Sequence, residues 1–296
     1  MKIGLVLSGG GGKGAYELGV WKALKELELD KYIDVFSGTS IGAFNAVLFA
    51  QDDMKAAEKL WDEVTMDKLV PISKFELIKR GLEIVIGGRH INLAKKYMIQ
   101  RLEEGGVPKD GAKEIIDTYL DVGKVKRRKK ICYAACTELP SFTPKYFKIN
   151  DYDDETAKDM VIASASLPMI YDCTEVLGVK YVDGGVTDNT PIQPVYGENC
   201  DIIIVVLLSK DISIDKSLYP GTRILELAPK NLNENTFKGT LNLDTESKRT
   251  RIKEGYEDTM GLLEPIMIMS KLKYEKEEEE THPKLYKVYN WMKRRT

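Results

Sequence analysis

Histidine is nearly missing from this chain: only His90 and His282 occur in 296 residues. A hydrolase built on an imidazole base, or a metal site built on several histidines, therefore has little to draw on. Cysteine is sparse as well. Cys132 and Cys136 stand four apart in a strand-like run, which separates their Cα atoms by about 13 Å at ~3.3 Å per residue, too far for a disulfide. Cys173 and Cys200 show no metal-ligand spacing, so no metal site is expected, and free thiols point to a reducing, cytoplasmic location. Long apolar runs are also absent. The longest aliphatic run, Ile202 to Leu208, has seven residues, against ~20 for a membrane-spanning helix. At the N-terminus, Ile3 to Leu7 is too short for a signal-peptide core. Charge of one sign is lacking too: 44 Lys plus Arg stand against 46 Asp plus Glu, a net charge of −2. No global basic field exists to hold nucleic acid, and any contact with a membrane surface must be local.

What is present is the composition of a packed globular chain, 43% hydrophobic and 30% charged. Strand-like runs at 2–7, 33–37, 131–136, 145–149, 178–182, 202–208 and 222–227 alternate with helical patterns. The alternation predicts an α/β protein, a three-layer α/β/α sandwich with a largely parallel central sheet, formed as one unit over 1–296. The first βα unit is the clearest, with Tyr16, Val20, Leu24 and Leu27 on one face of its helix. Its return to a parallel strand sends the loops 8–14 and 38–42 to the carboxyl edge of the sheet, where open α/β folds bind ligands. Residues from about 52 to 125 read as a helical insertion, with Phe75, Ile78, Leu82, Val85 and Ile86 at helical spacing. About 126–229 supply the rest of the sheet, and about 230–296 form a charged helical flank.

Gly38-Thr39-Ser40-Ile41-Gly42 has the G-x-S-x-G spacing and sits where a short apolar strand gives way to an apolar helix. A serine lifted out on so sharp a turn needs a strained backbone, and the flanking glycines remove the Cβ atoms that would clash. Gly9-Gly10-Gly11-Gly12-Lys13-Gly14 follows the first strand and opens the first helix. Successive glycines let bare amides crowd around an anion, either a phosphate or the oxyanion of a tetrahedral intermediate. Lys13 opposes the helix dipole there, a placement that suits a visiting anion. A phosphate-loop reading fails because Leu7 and Gly14 stand where that motif needs Gly and Ser or Thr. Gly9, Gly11 and Gly14 do match the dinucleotide spacing G-x-G-x-x-G, but a serine turn stands where the ribose-binding acid belongs.

The serine needs a base. His282 lies beside Glu277–Glu280 in a charged tail, and His90 lies in the helical insertion. The alternative to both is Asp183 in Val182-Asp183-Gly184-Gly185, directly after a strand-like run, where Gly184 and Gly185 allow a sharp turn.

These segments, in this order, resemble the patatin-like phospholipase family. The resemblance extends to Ala163-Ser164-Ala165-Ser166-Leu167-Pro168 and to Asp188-Asn189-Thr190-Pro191-Ile192, and covers roughly residues 2–208. It implies hydrolysis of acyl esters in lipids, with no required metal or cofactor. It also implies Ser40 as nucleophile, Asp183 as base, and the amides around Gly10, Gly11 and Gly12 as the oxyanion hole. Glu138 departs from the family, whose members often carry aspartate there.

Two rival readings are a non-catalytic lipid- or nucleotide-binding module, and a Ser40–Asp183–His282 triad esterase in the chain order of α/β-hydrolases. Lys126-Arg127-Arg128-Lys129-Lys130 reads either as a solvated turn or as a site for anionic headgroups. Apolar residues 75–86 read as core or as an acyl-chain channel.

Overall fold

The computed structural model describes residues 1–71, 106–168, 170–209, 212–230 and 236–281. The chain opens with β1 (Ile3–Leu7), a tight 3-10 turn over Gly11–Gly14, α1 (Ala15–Glu26), β2 (Ile33–Thr39) and α2 (Ile41–Ala50). Helices α3 (Met54–Glu63), α4 (Met66–Leu69), α5 (Asp110–Tyr119) and α6 (Val122–Arg127) come next. Strands β3 (Ile131–Glu138) and β4 (Thr143–Lys148) lead to α7 (Asp154–Ser164). After β5 (Thr174–Val176) and β6 (Val179–Asp183) the chain forms α8 (Ile192–Gly197), β7 (Ile202–Val206) and β8 (Arg223–Leu227). Helices α9 (Thr236–Leu241) and α10 (Thr245–Thr281) close the described chain. Three helices start on an aspartate whose side chain accepts a free first-turn amide: Asp53 from Ala56, Asp121 from Lys124 and Asp153 from Thr156.

The described strands form one mixed eight-stranded sheet, in which β3, β2, β1, β7 and β8 run parallel. Alternate residues of each strand face opposite layers, as the pleat requires. Leu5, Leu7, Phe36, Cys132, Ala134, Ile204 and Val206 face the larger core, beneath α1, α2, α3 and α7. Val6, Val35, Ile203 and Val205 face a smaller core closed by Ile192 and Val195 of α8. This is the expected α/β arrangement with helices on both faces. The described parts of 52–125 carry α3 to α6 and those of 230–296 carry α9 and α10, whereas Phe75, Ile78, Leu82, Val85, Ile86 and both histidines lie outside the described residues.

Helix α1 is buried on nearly every side, because α10 covers the face that the sheet does not. The two helices meet backbone to backbone. A Cβ on Gly19 would stand 1.9 Å from the Ile252 carbonyl oxygen, and one on Gly255 would stand 2.0 Å from that of Tyr16. Tyr16, on the stripe read from the sequence, sends its hydroxyl to Asp258 of α10 at 3.2 Å.

Two features read from the sequence come out more specific. The expected run at 178–182 is an antiparallel strand, β6, and its partner β5 is too short to leave a pattern of its own. The basic run is largely paired with acids: Arg128 with Asp52 at 2.6 Å, Lys130 with Asp34 at 3.0 Å and Arg127 with Asp121 at 3.4 Å.

Candidate active site

The register of β3 brings the two ends of the site together. Along one side of β3, residues 133–138 pair with β4. Along its other side, Val35–Thr39 of β2 pair in parallel with Ile131–Ala135, and Tyr181–Asp183 of β6 pair antiparallel with Cys136–Glu138. Strands β2 and β6 therefore approach head to head on the same flank of β3, with Thr39 opposite Ala135 and Asp183 opposite Cys136. Ser40, the next residue after Thr39, meets Asp183 at that junction, although 143 residues separate them in sequence. Only glycine fits immediately after the aspartate, since a Cβ on Gly184 would lie 2.3 Å from the Ala135 carbonyl oxygen.

Ser40 caps α2 with φ 56° and ψ −124°, a conformation that costs a non-glycine residue about 1–3 kcal/mol. Gly38 and Gly42 permit the turn: a Cβ on Gly38 would fall 2.1 Å from the Gly42 carbonyl carbon, and one on Gly42 would fall 2.3 Å from the Leu7 carbonyl oxygen. The strained amide is held from behind. Ser40 N–H donates to Ser164 Oγ at 2.9 Å, and that hydroxyl donates to the Ala135 carbonyl at 2.6 Å. Ser164 thus ties the end of α7 to the serine turn and to β3.

Asp183 is buried. Its carboxylate accepts the Gly185 N–H at 2.7 Å, and its backbone donates to the Ser166 carbonyl at 2.9 Å and accepts from Thr137 Oγ1 at 3.0 Å. Loss of solvation raises its pKa to about 6, and hydrogen bonds from the Ser40 side chain and the Gly185 amide pull it partly back down. A carboxylate in this state is a stronger base than a solvated one and is still ionised at neutral pH.

The glycine segment turns as a 3-10 helix whose first bond runs from Lys13 N–H to the Gly10 carbonyl at 3.2 Å. The amides of Gly10, Gly11 and Gly12 come before that bond, and Gly11 takes a positive φ of 55° to begin the turn. Lys13, expected to face a visiting anion, is a buried residue within the turn. Asn189 braces the loop against the serine. It exchanges two bonds with Gly9, Gly9 N–H to its carbonyl and its Nδ2 to the Gly9 carbonyl, both at 3.1 Å. Its neighbours hold the two flanking strands: Ser8 Oγ and Thr190 Oγ1 lie 2.9 Å apart, Ser37 Oγ donates to Pro191 O at 2.6 Å, and Thr39 Oγ1 donates to Asp188 O at 2.9 Å. From the C-terminal flank, Thr240 and Asn242 press their carbonyls against Gly11 and Gly12.

Beneath the site, Asn45 of α2 bridges the two loops. Its Nδ2 donates to the Gly14 carbonyl at 3.1 Å and to Glu17 Oε2 at 2.7 Å, while its Oδ1 accepts from Trp61 Nε1 at 3.1 Å. Glu17 is fully buried and its Oε1 has no hydrogen-bond partner. Desolvation pushes its pKa well above the usual carboxylate range.

The structure therefore brings Ser40, Asp183, Gly9 to Gly14, Gly38, Gly42, Gly184 and Gly185 to one place. Sequence reasoning assigned no role to Ser164, Asn189, Asn45 or Glu17. For the first two the available signal was their place in the two outlying segments of the family resemblance. Among the described residues no group of His, Cys, Asp and Glu is clustered so as to hold a metal ion.

Comparison with known proteins gives a consistent result. Residues 5–196 match the family model described as patatin-like phospholipase. Lysophospholipase nte1 of Aspergillus terreus is 54% identical over 50 residues, 17% of this chain and 3% of that protein. The uncharacterized protein YjjU of Escherichia coli is 25% identical over 207 residues, 69% of this chain and 51% of that protein. The chain thus matches a small fraction of the nte1 length and about half of YjjU. Among solved structures, VipD from Legionella pneumophila shares the fold, with a TM-score of 0.52 and 18% identity over 89% of this chain and 67% of that one.

Proposed function

Because the chain belongs to the patatin-like phospholipase family, we propose that it hydrolyses acyl ester bonds in lipids through a Ser40–Asp183 dyad, without histidine. The observation that carries the reading is the head-to-head junction of β2 and β6, which sets a strained serine against a buried carboxylate. Ser40 Oγ attacks the ester carbonyl carbon and gives its proton to Asp183. The carbonyl oxygen takes the negative charge and is held by the amides of Gly10, Gly11 and Gly12. As the tetrahedral intermediate collapses, the C–O bond breaks and Asp183 returns the proton to the departing alcohol. Water then attacks the acyl-serine with Asp183 again as base, releasing the fatty acid and restoring Ser40.

The name of the fungal relative makes lysophospholipids the first substrate class to test. A cytoplasmic location belongs to the same proposal, supported by four cysteines that are all free thiols. The test is incubation of the purified protein with a mixed lipid extract, with mass spectrometry of what is consumed and Ser40→Ala as control. Consumption of an acyl ester by wild type alone, with a fluorophosphonate probe labelling Ser40, is the expected result. Equal consumption by Ser40→Ala, or a label on another serine, would reject it.

A further inference from the structure

Helix α10 changes character along its length. Its first half is packed on α1 and on the glycine turn, where Arg251 Nη1 donates to Asn242 O at 2.7 Å. Its middle reaches the end of the sheet's edge strand: Lys230, three residues past β8, donates its N–H to Asp258 at 3.1 Å and places Nζ 3.4 Å from the same carboxylate. β8 runs parallel to β7, β1 and β2, so this contact lies at the carboxyl edge, on the side where Ser40 sits. Pro265 follows, and it cannot donate to the Gly261 carbonyl one turn back. Beyond it the helix carries apolar residues into solvent. Ile266, Met267, Ile268, Met269 and Leu272 are between 37% and 61% exposed.

Four of these, 266–269, are consecutive, so they point to every side of the helix. A partner protein's groove, or a second helix, covers one face only. A helix apolar all round needs an apolar medium around it. Glu264 stands just before Pro265, and between Pro265 and Tyr274 the only charged residues are Lys271 and Lys273, whose long side chains can carry their charge toward headgroup level, with the glutamates 277–280 farther along. The span 266–272 rises about 10 Å, which reaches into one leaflet and falls short of a ~30 Å hydrocarbon core. Among the described residues no helix is long and apolar enough to cross a membrane.

We propose that residues 266–272 of α10 dip into a lipid surface and hold the carboxyl edge of the sheet, with Ser40, against it; this rests on the reading that the substrate is a lipid ester. The test is co-sedimentation with phosphatidylcholine vesicles, with and without phosphatidylglycerol. The proteins compared are wild type, Ser40→Ala, and the quadruple variant Ile266→Gln, Ile268→Gln, Met269→Gln, Leu272→Gln. Glutamine is a good helix former, so the fold should persist, as circular dichroism would check. Wild type and Ser40→Ala should bind alike, and the quadruple variant should lose roughly tenfold or more in partitioning. The same variant should hydrolyse a short, water-soluble ester at the wild-type rate while losing activity on vesicles. Equal vesicle binding by the quadruple variant, or no binding by wild type, would overturn the proposal. So would a wild-type dimer that the substitutions dissociate while vesicle binding stays unchanged. Loss of hydrolysis by every protein alongside intact vesicle binding would count against the catalytic reading alone.

Discussion

At the scale of single residues the account turns on the state of Asp183. With its pKa raised to about 6 by burial, kcat/KM should rise with pH through a midpoint near 6 as the base ionises. A flat profile from pH 5 to 8, on a substrate that does not itself titrate, would contradict that role. The same shift has a stability consequence of opposite sense. The folded chain holds this proton more tightly than the unfolded one, so stability falls as pH rises from about 4 through 6. The ionised carboxylate costs up to about 3 kcal/mol above that window. Asp183→Asn, which keeps an acceptor for the Gly185 amide, should therefore melt at or above wild type at pH 8, with the gap closing below pH 5. Thermal denaturation at the two pH values measures it. Ser40 was legible in the sequence because its signal is local: two glycines, a strand before and a helix after. Asp183 was legible only as a turn with a family likeness, since its meeting with Ser40 is a property of strand register, which no local pattern encodes. Ser164 and Asn189 act through hydrogen bonds to backbone, and a serine or asparagine that does this looks like any other in the sequence.

At the scale of elements, the strand pattern was read to within about two residues at most ends, because most strands bury one or both faces. The three-residue β5 was too short for any period to show. The packing of α10 on α1 was not readable either, since it depends on two glycines, Gly19 and Gly255, in helices far apart in sequence. That contact makes a direct prediction. Gly255→Ala puts a methyl 2.0 Å from the Tyr16 carbonyl oxygen, so the helices must separate, at a cost of about 1–3 kcal/mol. Denaturant unfolding should show the loss, and an unchanged midpoint would contradict the close crossing. The Glu17–Asn45–Trp61 network joins α1, α2 and α3 in the same way. Because burial keeps Glu17 protonated to unusually high pH, Glu17→Gln should fold and turn over nearly as wild type. Asn45→Ala leaves buried partners unsatisfied and should cost about 2–4 kcal/mol in the same unfolding measurement.

At the scale of the whole molecule, the sheet delivers three loops to one edge, and segment 188–191 ties two of them together. Segment 240–242 closes over the glycine turn from the other side. The βαβ opening made the edge position of two loops readable in advance. The third arrives by an antiparallel strand, which breaks the simple parallel rule. Neither histidine lies among the described residues, so the triad alternative with His282 is decided by catalysis: His90→Ala, His282→Ala should keep kcat within a few-fold of wild type. The most direct test of the central claim is kcat for folded Asp183→Asn on the lipid ester that wild type consumes. The account predicts a loss of about 10²–10⁴-fold, with residual rate from the glycine turn. A folded Asp183→Asn that turns over at the wild-type rate would contradict it.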